Sequence, residues 1–181
     1  LTFDQGVFGL YKYELSKTHM FQVGLRQDVR WIRTQSDSIF LQQRYASPNL
    51  SAGWSWQVNS FQRHRLNFSS GFRAPHLSEL LANGFHHGAL RYEIGDSSLV
   101  PERSLQLDWS SDWNTEHGSI TINPYYALVR DYIYIQPNGN SVDGIPVFNY
   151  AQLELGRMYG LDLSAHYHPH WLHNLHWEGN F

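Results

Sequence analysis

The chain has 181 residues and a formal net charge of −3, with 41% hydrophobic, 15% aromatic and only 16% charged residues and no cysteine. The lack of cysteine excludes disulfides and thiolate metal sites, and a slightly acidic balance without a basic cluster argues against a nucleic-acid partner. No run of about 18 apolar residues is present, which excludes a transmembrane helix. The many aromatic residues and a mean hydropathy of −0.47 instead favour strands that alternate apolar and small polar side chains.

Four strands are predicted before residue 73, because apolar and polar side chains alternate there with a period of two. They cover residues 7–15, 21–31, 50–58 and 66–72. Short turns are predicted near residue 17 and at Asn59-Ser60, whose side chains favour turn conformations. Between residues 34 and 48 the alternation lapses, and we expect a long polar connection there.

Four further strands are predicted after residue 104. They cover residues 105–113, 120–136, 159–167 and 175–181. Short turns are predicted near residues 116 and 169, and a second loop from 137 to 146, where proline, asparagine and glycine cluster. The predicted fold is therefore all-β, an antiparallel up-and-down meander of about eight long strands.

Short and long connections alternate along this meander. The short ones lie near residues 17, 59, 116 and 169, and the long ones near 40, 88 and 142. All short turns then lie on one rim and all long loops on the other, which is typical of outer-membrane barrels. The alternative is a soluble β-sandwich or lipocalin-like barrel, whose strands usually have about five or six residues. Because the last strand still continues at Phe181 and no signal peptide follows Leu1, we expect a piece of a longer protein.

The segment from 73 to 103 is the longest predicted connection. Pro75 and Pro101 bound it, because proline cannot donate a hydrogen bond to a β-ladder. A loop of about 25 residues greatly exceeds the usual connection of about 4–6 residues, and loops of this length are usually functional. We therefore expect the functional site in this segment.

Sequence blocks in and after this segment resemble the barrel signature of TonB-dependent outer-membrane receptors. The blocks are, in order, Phe72-Arg73-Ala74-Pro75, Glu79-Leu80, Ala82-Asn83-Gly84, His86-His87-Gly88, Arg91-Tyr92-Glu93-Ile94-Gly95-Asp96, Leu99, Pro101-Glu102-Arg103-Ser104, Asp131-Tyr132-Ile133-Tyr134-Ile135-Gln136, Phe148-Asn149-Tyr150 and Tyr159-Gly160-Leu161-Asp162. The resemblance covers most of residues 50 to 168, and several blocks in a fixed order are more specific than a single motif.

The resemblance implies part of a transmembrane barrel of roughly 22 strands, plugged by an N-terminal domain. Residues 1–181 would be a single partial barrel segment without the plug and the remaining strands, and 73–103 would be a long extracellular loop. The implied function is uptake of a scarce metal chelate, a ferric siderophore or related iron complex, across the outer membrane of a Gram-negative bacterium. Implied partners are outer-membrane lipid, the chain's own plug and remaining strands, and the TonB complex, which acts through the missing N-terminal part.

The resemblance indicates the substrate less directly than the fold. Zinc importers and haem importers of the same family are the alternatives to a receptor for an iron chelate. No prosthetic group is expected, and a bound iron chelate, zinc ion or haem would be cargo. Imidazole ligates transition metals and haem iron, and carboxylates can complete a zinc site. The order of blocks from 82 to 95 resembles zinc-importing members and also unassigned members of the iron-chelate branch, whereas 95–99 departs from the Asn-Pro-x-Leu block of haem receptors. The candidate substrate-binding residues are Arg73, His76, His86, His87, Arg91, Tyr92, Glu93 and Asp96, with His86 and His87 as candidate metal ligands.

Each candidate also has a purely structural interpretation. His86 and His87 can pack within the loop, and Arg73 is more simply the partner of a lumen carboxylate, with Glu102 in a similar role. Residues 77–82 can form one helical turn, which would make Glu79 structural. The histidines near the last short turn are expected to belong to a solvated turn rather than a metal site. They are His166, His168, His170, His173 and His176.

The alternatives to a barrel segment are a soluble binding module and an enzyme. A soluble surface β-sheet binding module would point Leu105, Trp109 and Leu161 into a core, whereas a barrel would point them towards lipid. An enzyme is not expected, because no nucleophile, base and orienting group occur at a recognisable spacing.

Overall fold

A computed structural model describes residues 1–36, 39–168 and 176–181. Over these ranges ten strands form one sheet, and a single five-residue helix is present. The elements are β1 (Thr2–Glu14), β2 (His19–Ser36), β3 (Ile39–Gln57), β4 (Gln62–Arg73), α1 (Leu77–Leu81), β5 (Asn83–His86), β6 (Arg91–Ile94), β7 (Glu102–Thr115), β8 (Gly118–Val142), β9 (Ile145–Tyr167) and β10 (Trp177–Asn180).

Eight of these strands form the predicted meander. β1, β2, β3, β4, β7, β8 and β9 pair in this order, and β10 pairs with the far edge of β9, always antiparallel. The antiparallel, all-β prediction is thus confirmed. Two short strands, β5 and β6, are additional and lie inside the long connection.

Two predicted loops are wrong. β2 continues to Ser36 and β3 starts at Ile39, so the expected connection from 34 to 48 is mostly paired strand. Likewise β8 continues to Val142, and β9 starts at Ile145 after a turn with positive φ at Asp143 and Gly144. A strand that projects beyond an apolar layer has two solvated faces, so it loses its alternation while its backbone ladder persists.

The described connections lie on the predicted rims, because antiparallel strands reverse at each connection, whereas the turn predicted near residue 169 lies outside the described residues. The β1–β2, β3–β4 and β7–β8 connections lie on one rim, and the segment between β4 and β7 lies on the other. Asn59-Ser60 and the 73–103 segment are therefore at opposite ends of the sheet. With 25 residues, β8 is far longer than the roughly 9–11 residues that cross a bilayer.

The apolar face of the meander is exposed. Leu105, Trp109 and Leu161 are 47%, 44% and 57% exposed. These side chains therefore do not lie in a hydrophobic core of the kind that a soluble module requires. Near the short-turn rim, aromatic rings follow one another across neighbouring strands at centroid distances of 5.7 to 6.4 Å, as in an interfacial girdle. These rings belong to His19, Trp54, Trp56, His64, Trp109 and Trp113. Within the described ranges, no helix has the length and apolar character to cross a membrane.

A small core lies at the opposite rim. It joins β2, β3 and β8 to the segment between β4 and β7. Its buried residues are Ile32, Tyr45, Ala74, Leu80, Leu99 and Ile133. This core fixes the long segment against the sheet and so determines where its polar side chains lie.

Candidate functional site

Residues 74–101, here called the capping segment, contain α1 and the β5–β6 hairpin. β6 pairs in parallel with the projecting part of β9, with Tyr92 opposite Val147 and Ile94 opposite Asn149. β10 pairs with the same edge of β9, but only at residues 164–167 near the opposite end of the strand. The edge beside residues 147–149 is therefore free to pair with β6. The parallel pairing was not predicted, and it joins the capping segment to the β8–β9 hairpin.

Arg73 joins the end of β4 to the start of β7 and to α1. Its guanidinium donates two hydrogen bonds of 2.8 Å to the Glu102 carboxylate and two more, of 2.9 and 3.0 Å, to that of Glu79. Glu102 also accepts a hydrogen bond of 2.7 Å from the Ile133 backbone N–H. The expected pairing of Arg73 with a carboxylate is therefore confirmed. Two largely buried carboxylates share this single cation.

α1 is the predicted helical turn, and its start depends on Glu79. The Glu79 side chain accepts a hydrogen bond of 2.8 Å from the His76 backbone N–H at the helix start, and its backbone carbonyl accepts one of 2.9 Å from Asp96. Gly95 approaches α1 so closely that a Cβ there would lie 2.7 Å from backbone atoms of Leu80 and Leu81. Glycine at position 95 is what allows the hairpin to close on the helix.

Glu93 is the buried acid of the hairpin, only 5% exposed. Its carboxylate accepts hydrogen bonds from Arg91 at 2.8 Å and from the Tyr150 hydroxyl at 2.9 Å. Burial alone would raise the pKa of Glu93, but the hydrogen bonds from Arg91 and Tyr150 outweigh it and lower that pKa below the ordinary value. Burial and the bond to Glu93 together raise the pKa of Tyr150 to about 12. The pair thus favours a charged carboxylate and a neutral phenol.

We expect this pair to make the closure of the capping segment pH-dependent. The lowered pKa of Glu93 means that its contribution is present above pH 4.5 and is lost as the pH falls through the folded-state value. The raised pKa of Tyr150 means that its contribution is present below pH 10 and is lost as the pH rises through about 12. Hydrogen exchange of the residue 91–94 amides, corrected for intrinsic rates, should therefore be slowest between these limits.

The matched control is Glu93→Gln, which keeps the size of the side chain and removes its charge. This variant should exchange faster at neutral pH and show no additional loss of protection on acidification. Acid-induced loss of equal size in both proteins would assign the effect to other carboxylates.

Smaller contacts lie within the capping segment and between it and the sheet. The Asp96 carboxylate accepts hydrogen bonds from the backbone N–H and the hydroxyl of Ser98, at 2.8 and 2.6 Å. The Gln152 side chain bridges Val100 and Asp131 by accepting from the N–H of Val100 and donating to both carbonyls, at 2.7 to 3.0 Å. Gln152 and Tyr150 were not among the predicted site residues. No sequence signal marks Gln152, whereas Tyr150 lies in one of the recognised blocks.

The histidines of the capping segment remain exposed. The His86 Nδ1 accepts a hydrogen bond of 3.1 Å from the Ala89 N–H, and the His87 ring meets Phe85 edge to face at 4.7 Å. Tyr92 donates a hydrogen bond of 2.9 Å to the Asn83 side chain. In the part of the chain that the structure describes, no three ligating side chains surround a common metal position. His86 and His87 therefore have no third protein ligand in this arrangement.

His76 lies apart from the other two histidines, beside a polar cavity of about 510 Å³. Arg26, Arg30 and Arg73 also line this cavity, together with Asp4 and Asp28. Asp4 forms an ion pair with Arg30, and Asp28 forms one with Arg26. Both of these arginines therefore already have an acidic partner. The sequence did not indicate this cavity, because its residues come from three separate parts of the chain.

Comparison with known proteins decides the family. The family model described as TonB dependent receptor-like, beta-barrel matches residues 2–181. The chain belongs to the TonB-dependent receptors. Members of this family lie in the outer membrane of Gram-negative bacteria, and this receptor segment is accordingly an outer-membrane protein. No curated protein sequence matches it significantly.

Solved structures support the same fold. The copper transporter OprC has a TM-score of 0.77 and 15% identity, over 93% of this chain and 26% of that one. The hemophore receptor HasR of Serratia marcescens, solved with its hemophore HasA and heme, has a TM-score of 0.75 and 16% identity over 92% and 32%. The FrpB iron transporter from Neisseria meningitidis has a TM-score of 0.67 and 20% identity over 93% and 24%. The receptor segment thus spans about a quarter to a third of these proteins.

Proposed function

We propose that the chain is the barrel segment of a receptor that imports a metal chelate, a ferric siderophore or related iron complex, into the periplasm. The observation that carries this proposal is the capping segment. It is fixed over one rim of an outer-membrane sheet, and its histidines remain exposed. The relatives transport copper or iron or bind a hemophore with heme, which agrees with metal uptake. Such transport requires no covalent chemistry, so the proposed receptor is not an enzyme.

In this proposal the candidate residues divide into two roles. Arg73 and Glu93 hold the capping segment against the sheet, and Arg91 and Asp96 make contacts within the segment. The remaining four candidates face solvent or the cavity and contact the cargo. They are His76, His86, His87 and Tyr92. Arg26 and Arg30 in the cavity are each paired with an aspartate, and their guanidinium groups add hydrogen-bond donors for the cargo.

The receptor also needs parts that lie outside the 181 residues. We propose that further strands pair with the exposed edge of β1, and that a plug domain packs against the polar face of the sheet. The exposed apolar face would meet outer-membrane lipid, and energy would come from the TonB complex. The capping segment would then be extracellular, since it lies on the rim opposite the short turns.

Uptake of zinc or haem is a second candidate, favoured by one observation. The His86 Nδ1 is engaged by the Ala89 N–H, which leaves Nε2 as the nitrogen for a metal. Adjacent residues in an extended strand point in different directions, so His86 and His87 need not share one ion. An intact siderophore brings its own iron ligands and does not need either imidazole.

The test uses the complete receptor in detergent, with ferric siderophores, haem and Zn²⁺ as probes. If the cargo is a siderophore, His86→Ala/His87→Ala should bind it within about twofold of the unsubstituted receptor. If the histidines ligate zinc or haem iron, affinity for that probe should fall at least about tenfold, because a bond to the metal is lost. The matched control for the siderophore and haem probes is His166→Ala/His168→Ala, which removes two imidazoles at the other rim and should leave the affinity for both probes unchanged. Failure of the unsubstituted receptor to bind any of these probes would refute the proposal.

A further inference from the structure

Four histidines come together at the rim opposite the capping segment. Strand pairing aligns Gly118 of β8 and Trp177 of β10 with the same residue of β9, Tyr167. The residues next to these, His117, His168 and His176, therefore stand side by side across three adjacent chain segments. A backbone hydrogen bond of 2.8 Å from the His168 N–H to the His117 carbonyl fixes this alignment. His166 lies two residues before His168, on the same face of β9.

The four imidazole rings are close to one another. The ring centroids of His166 and His168 are 5.4 Å apart, and His176 lies 6.2 and 6.1 Å from these two rings. His117 lies 6.1 Å from His168. The rings share the polar face of β9 with Asp162 and Ser164, since side chains alternate along a strand. His170 and His173 lie outside the described residues.

These distances suit imidazoles that share a metal ion. A metal lies about 2.0–2.1 Å from each ligating nitrogen, so the centroids of two rings on one tetrahedral ion are about 5 Å apart, and about 6 Å at wider angles. The observed distances of 5.4 to 6.2 Å fall in this range. The His168 Nδ1 is also shielded from solvent without a hydrogen-bond partner among the described residues. A buried, unsatisfied nitrogen is costly, and a metal ion would use its lone pair.

We propose that His117, His166, His168 and His176 form a binding site for a divalent transition metal, Zn²⁺, Ni²⁺ or Cu²⁺, held by two or three imidazoles. Imidazole is a preferred ligand of these ions. Ligation requires rotation of the rings, since no three ligating atoms among the described residues now surround one point. His176 is exposed, and His117, His166 and His168 are only partly buried.

This site is separate from the capping segment. Tyr150, which contacts Glu93, lies 16 residues before His166 on β9, a span of roughly 50 Å at about 3.3 Å per residue. The two regions cannot share an ion. The site is therefore independent of which cargo the receptor takes up.

The experiment measures Zn²⁺ by calorimetry and Co²⁺ by its visible absorption, in the complete receptor in detergent. His166→Ala/His168→Ala should lose one equivalent of tightly bound metal, with affinity reduced at least tenfold, and should lose the Co²⁺ absorption of a nitrogen-ligated site. His86→Ala/His87→Ala, with the same number of imidazoles removed, should keep that equivalent. Because alanine leaves space at the rim, His166→Gln/His168→Gln provides a second variant that keeps polar side chains of similar size.

The result that overturns the proposal is unchanged stoichiometry and affinity in both rim variants. The proposal is also overturned if the complete receptor binds Zn²⁺ only at a site that is lost in His86→Ala/His87→Ala. Siderophore binding is measured on the same samples. Its retention in the rim variants shows that they are folded, and it separates this proposal from the proposed cargo.

Discussion

Replacing Arg73 with alanine is expected to release the capping segment from the sheet. Two carboxylates, Glu79 and Glu102, would lose their shared cation, although their side chains are only 13% and 11% exposed. Removing one partner of a buried ionic network leaves uncompensated charge, which costs about 3–5 kcal/mol when fully buried. Because the Arg73 side chain is itself 35% exposed, we expect a smaller cost of about 2–3 kcal/mol.

Hydrogen exchange of the residue 74–101 amides measures this cost as a change in local opening free energy. The matched control is Arg65→Ala, which breaks the pair between Arg65 and Asp112 on the same polar face. The Arg65 side chain is 45% exposed, so its loss should cost less than about 1 kcal/mol and leave the capping segment closed. Equal protection of the segment in both variants would mean that the Arg73 network does not hold it.

Replacing Leu80 with alanine should destabilise the same segment through packing rather than charge. Leu80 is 2% exposed and lies in the buried cluster with Leu99 and Ile133. Its truncation removes apolar contacts and leaves a cavity, for an expected cost of about 2–4 kcal/mol. The β5–β6 hairpin rests on α1 through Gly95, so faster exchange should extend from residues 77–82 to residues 91–96.

Leu77→Ala is the internal control, because Leu77 lies on the same helix and is 38% exposed. It makes the same chemical change with little loss of burial and should cost less than about 1 kcal/mol. The measurement is again the opening free energy from hydrogen exchange. If both leucine variants open the segment equally, the buried cluster around Leu80 would not explain the effect.

The sequence by itself determined the meander and its two rims. Strand alternation, short turns and the prolines at 75 and 101 are local signals, so they identify strands and connections without knowledge of the partner strand. The same holds for α1, whose start requires only Glu79 three residues after His76. The pairing of Arg73 with a carboxylate was predicted as the simpler structural role of an arginine at this position.

Tertiary structure alone decided where the projecting strands end and what they touch. The segments predicted as loops carry no alternation, and the ladder formed with the neighbouring strand keeps residues 34–36, 39–48, 141–142 and 145–146 extended. The bond from Tyr150 to Glu93 joins residues 57 positions apart and depends on the parallel pairing of β6 with β9.

The histidine cluster has the same origin. His117 comes to lie beside His168 through the register of β8 and β9, and His176 through that of β10 and β9. A register shift of one residue would turn either partner to the opposite face of the sheet. Register depends on the summed packing and hydrogen bonding of whole strands, which is why no single sequence motif reveals it.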